Sequence, residues 1–136
     1  MSALEEMFAT QLLALGRKSG LAAPEREYRF AAQVVGPGKG LRNRLAAASL
    51  KDWRFDFAWP GRQFAVEIEG GAWINGRHNR GAGFEADLEK YHHAMRLGWD
   101  VYRCGAQLVK SGEAALLVHD LLTVKSTSAE RERVEA

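Results

Sequence analysis

Three carboxylates set among apolar residues are the side chains of this sequence best placed to do chemistry. Asp56 stands between Phe55 and Phe57, and Glu67 and Glu69 flank Ile68. A carboxylate inside an apolar strand is costly unless it is paired or coordinated. On an extended segment Glu67 and Glu69 share one face, roughly 7 Å apart. Three acids packed together raise one another's pKa values sharply in the absence of a cation. A hard divalent ion resolves that conflict, since Mg²⁺ favours one or two carboxylates with waters and phosphate oxygens. The same acids could instead face solvent on an uncovered sheet, or pair with Arg54 and Arg62.

A hairpin is what would bring Asp56 beside the two glutamates. Trp53–Trp59 alternates, with Trp53, Phe55, Phe57 and Trp59 on one face and Arg54, Asp56 and Ala58 on the other. Pro60-Gly61 reads as a turn, so Gln63–Glu69 is expected to return antiparallel, ending at Gly70-Gly71. In that strand Phe64, Val66 and Ile68 face the core, and Ala65, Glu67 and Glu69 face away from it. Upstream, residues 3–16 form an amphipathic helix through Leu4, Phe8, Leu12 and Leu15, with Gly16 as its stop. Glu27–Phe30 is a first strand, Gly36–Gly40 a loop and Leu41–Leu50 a short helix.

Downstream, the stretch from Ala72 to Gly83 has no period and reads as an ordered loop over a site. Phe84–Leu97 is a strong helix with Phe84, Leu88, Tyr91 and Met95 on its core-facing stripe and Gly98 as its cap. Trp99–Cys104 is a last core strand. Glu113–Val124 closes the fold as a helix, apolar through Leu116, Leu117, Leu121 and Leu122. The order α-β-β-β-α-β-α predicts an α/β fold, a mixed sheet with helices on both faces. Residues 1–124 would be a single domain, and 125–136, rich in Ser, Thr, Glu and Arg, a disordered tail.

Arg54-Phe-Asp56-Phe, followed after nine residues by Glu67-Ile-Glu69-Gly-Gly, resembles the Asp…Glu-x-Lys core of the PD-(D/E)XK, restriction-endonuclease-like nuclease superfamily. The likeness is greatest to the small phage and bacterial branch that includes the very-short-patch-repair-type endonucleases. There the second strand ends in an acidic Glu-x-Asp/Glu-Gly pattern followed by a loop His, which His78 matches here. A helix with Asp87 and Lys90 follows, and Gly98-Trp-Asp-Val101-Tyr-Arg103 is similar to the branch's Gly-x-x-Val-x-Arg strand. The resemblance implies a restriction-endonuclease-like core that hydrolyses DNA phosphodiesters and leaves 5′-phosphate ends. It implies Asp56 and Glu67 as Mg²⁺ ligands, with Mn²⁺ as a substitute, the Ile68 carbonyl as a third oxygen, and Glu5 holding a metal-bound water. For Glu5 an ordinary first-turn helix acid, favoured by the helix dipole, is an equal reading.

Glu69 departs from the pattern, because it stands where the superfamily has Lys. Two residues could replace that cation. Lys90 lies on the flank of its helix that also carries Asp87 and Ala94, and His78 sits in the glycine-rich loop with Arg77 and Arg80. Trp73 in that loop either stacks on a base or caps the core. His92, His93 and His119 read as surface residues.

Charge points the same way. Net charge is +2, but from Arg17 to Arg54 nine bases meet only three acids. Lys39, Arg42, Arg44 and Arg54 within it, with Arg77 and Arg80, are the candidate contacts to DNA phosphates; a solvated surface is the bland alternative. Gly36–Gly40 lacks the Gly-Lys-Ser/Thr ending of a phosphate-binding loop and reads as a mobile basic flap. The lone Cys104 excludes an internal disulfide and a cysteine-based zinc site. No signal peptide or membrane span is evident, so a cytoplasmic protein is expected. The rival functions are a branched-DNA resolvase acting as a homodimer, an inactive DNA-binding relic of the fold, and a small metal-binding or protein-interaction domain.

Overall fold

The computed structural model describes residues 2–70, 73–74, 77–78 and 82–125. They form an α/β fold with a four-stranded mixed sheet flanked by helices. The chain divides into two compact units, residues 1–23 with 104–136, and residues 24–103.

In the second unit the sheet is built from β1 (Glu25–Tyr28), β2 (Phe55–Trp59), β3 (Phe64–Glu69) and β6 (Asp100–Gly105), in that spatial order. β1 pairs antiparallel with β2, and β2 antiparallel with β3. The expected hairpin is present. Pro60–Arg62 makes a single 3₁₀ turn, and Gln63 adopts a left-handed conformation to reverse the chain into β3. The first strand ends two residues earlier than the pattern predicts. Phe30 opens an unexpected helix, α2 (Phe30–Val35), which stacks its ring on Phe55 at a centroid distance of 4.0 Å. Burying that ring outweighs continuing a short edge strand. α3 covers Leu41–Ala47.

The loop expected between Ala72 and Gly83 contains a two-stranded ribbon, β4 (Trp73–Ile74) with β5 (Arg77–His78). α4 (Ala82–Arg96) follows, and Gly98 in the left-handed region turns the chain towards β6. The Asp100 amide donates to the Gln63 carbonyl at 2.9 Å, which sets β6 beside the start of β3.

The core of this unit joins Phe30, Ala31, Leu45, Leu50, Phe55, Ala58, Ala65, Ala94 and Trp99. Two expectations about faces are overturned here. Ala65 and Glu67 do not face away from the protein; both are buried, as is Ala58 beside Asp56. The reason lies on α4, which buries Ala94 and not its larger apolar residues: Phe84, Leu88 and Met95 are exposed. A small residue lets the helix approach the sheet closely, whereas the bulky stripe would hold it off.

The first unit is helical. α1 runs Ala3–Ser19, through Gly16 and not up to it, because Gly20 takes the left-handed capping position and donates its amide to the Gly16 carbonyl. α1 packs on α5 (Ala106–Ser111) and α6 (Glu113–Asp120), and a π-helical turn covers Leu121–Lys125. Phe8, Leu12, Val109 and Val118 are buried. The closing helix thus starts where expected but is shorter. It buries Ala114, Ala115 and Val118, while Leu116 and Leu117 are exposed. The predicted tail beyond Lys125 lies outside the described residues. No helix among those described is long and apolar enough to cross a membrane.

Candidate functional site

The β2–β3 register places the carboxylates. Phe57 is opposite Val66 and Ala58 opposite Ala65, so one step further Asp56 stands opposite Glu67. Directly opposed residues of an antiparallel pair project from the same face. Each of the two acids also binds its neighbour's backbone. The Asp56 amide donates to Glu67 Oε2 at 3.1 Å, and the Ile68 amide donates to Asp56 Oδ2 at 2.8 Å. The β1–β2 register, with Arg26 opposite Phe57 and Tyr28 opposite Phe55, brings Glu27 level with Asp56. Carboxylate oxygens of Glu27 and Asp56 lie within 4.8 Å of one another. Three adjacent strands therefore carry Glu27, Asp56 and Glu67 in one row.

Glu67 is 6% exposed and is the one charged residue classed as buried among those described. A lone carboxylate there would be strongly destabilising. Two groups from α4 compensate it. Lys90 Nζ forms an ion pair with Glu67 Oε1, and the Tyr91 hydroxyl donates to the same oxygen at 3.0 Å. Lys90 also lies 5.7 Å from the centre of the Phe55 ring, so its charge is sandwiched between a carboxylate and aromatic faces. Lys90 is thus brought to the acids.

Glu69 meets a different partner. Arg103 Nε donates to Glu69 Oε1 at 2.8 Å, and the Arg103 guanidinium lies 4.2 Å from the centre of the Tyr91 ring. Burial acts to lower the Arg103 pKa, but the hydrogen bond to Glu69 and the charges of Tyr91, Glu69 and Asp87 outweigh it and raise it. Burial, and then the charges of Glu67 and Glu69, push the Tyr91 phenol well above its ordinary value. It remains a donor at any pH the protein meets. Tyr91 and Arg103 are site residues that periodicity does not reveal, since it counts Tyr91 as an apolar core position. Glu27 could have been found from strand register, but the strand boundaries read from sequence are too late by two residues.

Glu5 sits in the first unit, where its carboxylate closes the capping box of α1: the Ser2 amide donates to Glu5 Oε2 at 3.2 Å, and the Glu5 amide donates to Ser2 Oγ at 3.1 Å. His78 and Arg77 form strand β5, and only their backbone positions are described. Arg80 lies outside the described residues. Lys39, Arg42 and Arg54 are exposed.

Arg44 is engaged inwards. Its guanidinium donates to the carbonyls of Val35 (2.8 Å), Gly36 (2.9 Å), Gly38 (2.7 Å) and Lys39 (2.9 Å). The glycine-rich loop is therefore held by four hydrogen bonds, not left as a free flap. Arg44 is committed to that loop, and Lys39 and Arg42 remain the outward cations beside it.

Comparison of the chain with protein-family models, with curated proteins and with solved structures finds no match.

Proposed function

We propose that this chain is a divalent-metal-dependent DNA endonuclease with a restriction-endonuclease-like core, hydrolysing phosphodiesters to leave 5′-phosphate ends. The observation that carries the reading is the facing pair Asp56 and Glu67, with Lys90 delivered onto Glu67 from the following helix. A pure binding surface gains nothing from acids turned towards phosphates. A hydrolase gains a site for a cation.

The residues fit Mg²⁺, or Mn²⁺ in its place. Asp56 and Glu67, with the Ile68 carbonyl, offer the all-oxygen donor set that such ions prefer. The ammonium of Lys90 already occupies a cation position against Glu67. When bound, the ion supplies positive charge at the phosphate and lowers the pKa of a water.

The chain's own residues do the rest. Asp56 and Glu67 are held in register by backbone amides, Glu67 by that of Asp56 and Asp56 by that of Ile68. Lys90 takes the place of the superfamily's strand Lys and offsets charge on the reacting phosphate. Glu69, tied to Arg103 and facing Tyr91, positions the site and is not one of its ligands. His78, Arg77 and Arg80 are offered to the phosphate from the loop. Lys39, Arg42 and Arg54 grip the DNA backbone without reading sequence.

The test is incubation of the purified chain with linear, nicked, single-stranded and branched DNA in Mg²⁺, Mn²⁺ and EDTA. Cleavage in either metal, abolished by EDTA and by Asp56→Asn or Glu67→Gln, supports the reading. Cleavage that survives either substitution sinks the site assignment. Binding without cleavage in both metals would identify an inactive relic of the fold.

A further inference from the structure

α4 carries two apolar claims, and the core satisfies only one. Ala94 is fully buried and Lys90 is paired with Glu67, so that flank faces the sheet. Phe84 and Leu88, each 48% exposed, and Met95, 78% exposed, lie on a different side of the same helix. At 100° per residue these three fall within about 40° of one another and form one stripe. Phe84 and Leu88 adjoin at i, i+4, and Met95 lies two turns beyond Leu88 on the same side with half-buried Tyr91 between them, an exposed apolar row open to a partner.

The charges beside the stripe select the occupant. Glu85 and Asp87 lie in the first half of α4, and His92 and Arg96 in the second; all four are exposed. Glu85, His92 and Arg96 fall on one flank of the stripe. The acids at its start repel DNA phosphates and anionic lipid. A parallel second copy would set Glu85 against Glu85. An antiparallel second copy, related by a two-fold axis, reverses the order. It brings Phe84 against Met95 of the second copy, Leu88 to the centre, and Glu85 towards Arg96 of the second copy, twice by symmetry.

We infer that the exposed stripe of α4 is the contact surface of a homodimer in which two copies pack this helix antiparallel. One helix pair buries little area, so a weak, concentration-dependent association is expected. This does not depend on the nuclease reading, since the measurement is of mass and not of cleavage.

Sedimentation velocity of the full chain across low to high micromolar concentration should show a monomer–dimer equilibrium. Leu88→Glu should give a monomer throughout with an unchanged circular dichroism spectrum, because Leu88 is already half exposed. Glu85→Arg alone and Arg96→Glu alone should each weaken the dimer, on the order of tenfold, and the double reversal should restore it. A wild-type chain that stays monomeric at every concentration overturns the proposal, as does a dimer that survives Leu88→Glu. Failure of the double reversal to rescue overturns the antiparallel arrangement. If Leu88→Glu leaves the mass unchanged but weakens binding to DNA or to anionic vesicles, that ligand covers the stripe and the dimer is wrong.

Discussion

Lys90 and Glu67, 23 residues apart in the chain, form an ion pair between α4 and the buried middle of β3. The pair is a structural tie and a local neutralisation at once. It spares Glu67 the cost of being a lone buried anion, and it holds a positive charge at the carboxylate that stands opposite Asp56. A divalent ion at the same carboxylates would compete with the ammonium for Glu67 Oε1.

That competition gives a first prediction. Lys90→Ala should destabilise the chain by about 3 kcal/mol in EDTA, the usual cost of orphaning a buried charge. Added Mg²⁺ should then raise the melting temperature of the variant more than that of the wild type. Single-turnover DNA cleavage should fall on the order of 10²-fold. Glu69→Lys can restore a cation only if Arg103→Gln accompanies it, since Arg103 otherwise faces the new charge. If His78→Ala is slow and Lys90→Ala is not, the loop supplies the catalytic cation and Lys90 is structural.

A second prediction concerns Glu27. It holds a left-handed backbone, with φ of 51°, in the middle of a strand, and its carboxylate approaches Asp56. Non-glycine residues pay about 1 kcal/mol or more for that conformation. Glu27→Gly should therefore raise the melting temperature, by roughly 4 °C for each kcal/mol recovered. Glu27→Gln keeps the backbone and removes the charge, so the difference between the two isolates strain from repulsion. A lower melting temperature for Glu27→Gly would mean that the side chain contributes more than the backbone costs.

Lys39, Arg42 and Arg44 should separate by mechanism. Neutralising Lys39 and Arg42 together should weaken binding to all DNA sequences alike. It should also reduce the slope of log K against log salt by roughly two. Arg44→Gln should instead lower thermal stability, by releasing the four carbonyls. Arg44→Lys should not rescue it, because an ammonium lacks the planar fork that reaches them. Equal effects of all three on the salt slope would place Arg44 among the phosphate contacts.

The Arg29–Asp52 pair predicts a pH dependence. The hydrogen bond from Arg29 holds the Asp52 carboxyl below its ordinary range, against the opposing effect of burial. A depressed carboxylate pKa adds stability above its unfolded value, near 4, and loses it as pH falls through the folded value. The melting-temperature gap between wild type and Asp52→Asn should be open at neutral pH and close in acid. Both side chains are more than a third exposed, so high salt should also narrow the gap. A gap independent of pH would assign it to something other than this charge pair.

The hairpin was open to reading because its signals are local: period two from Phe55 to Trp59 and a Pro-Gly turn suffice to set Asp56 against Glu67. The inner face of α4 was not. Hydrophobic periodicity selects Phe84, Leu88 and Met95, whereas the packed helix turns Ala94 and Lys90 inwards. That choice depends on a buried anion in another element, which a helical window does not contain. The same holds for α6, where alanines pack and leucines are left outside. Tyr91 and Arg103 were missed for a related reason: their partners, Glu67 and Glu69, become neighbours only once β6 and α4 settle beside β3.

The grip of Arg44 on residues 35–39 also makes the glycine loop a non-covalent ring, closed by one side chain from the helix that follows it. A ring of that kind has a fixed circumference. Adding or deleting a residue between Gly36 and Gly40 would put carbonyls beyond the span of one guanidinium, whereas exchanging Pro37 or the Lys39 side chain leaves the closure intact. Loop and helix thus constitute a small cassette, in which new side chains can be displayed at fixed length while Arg44 keeps the geometry.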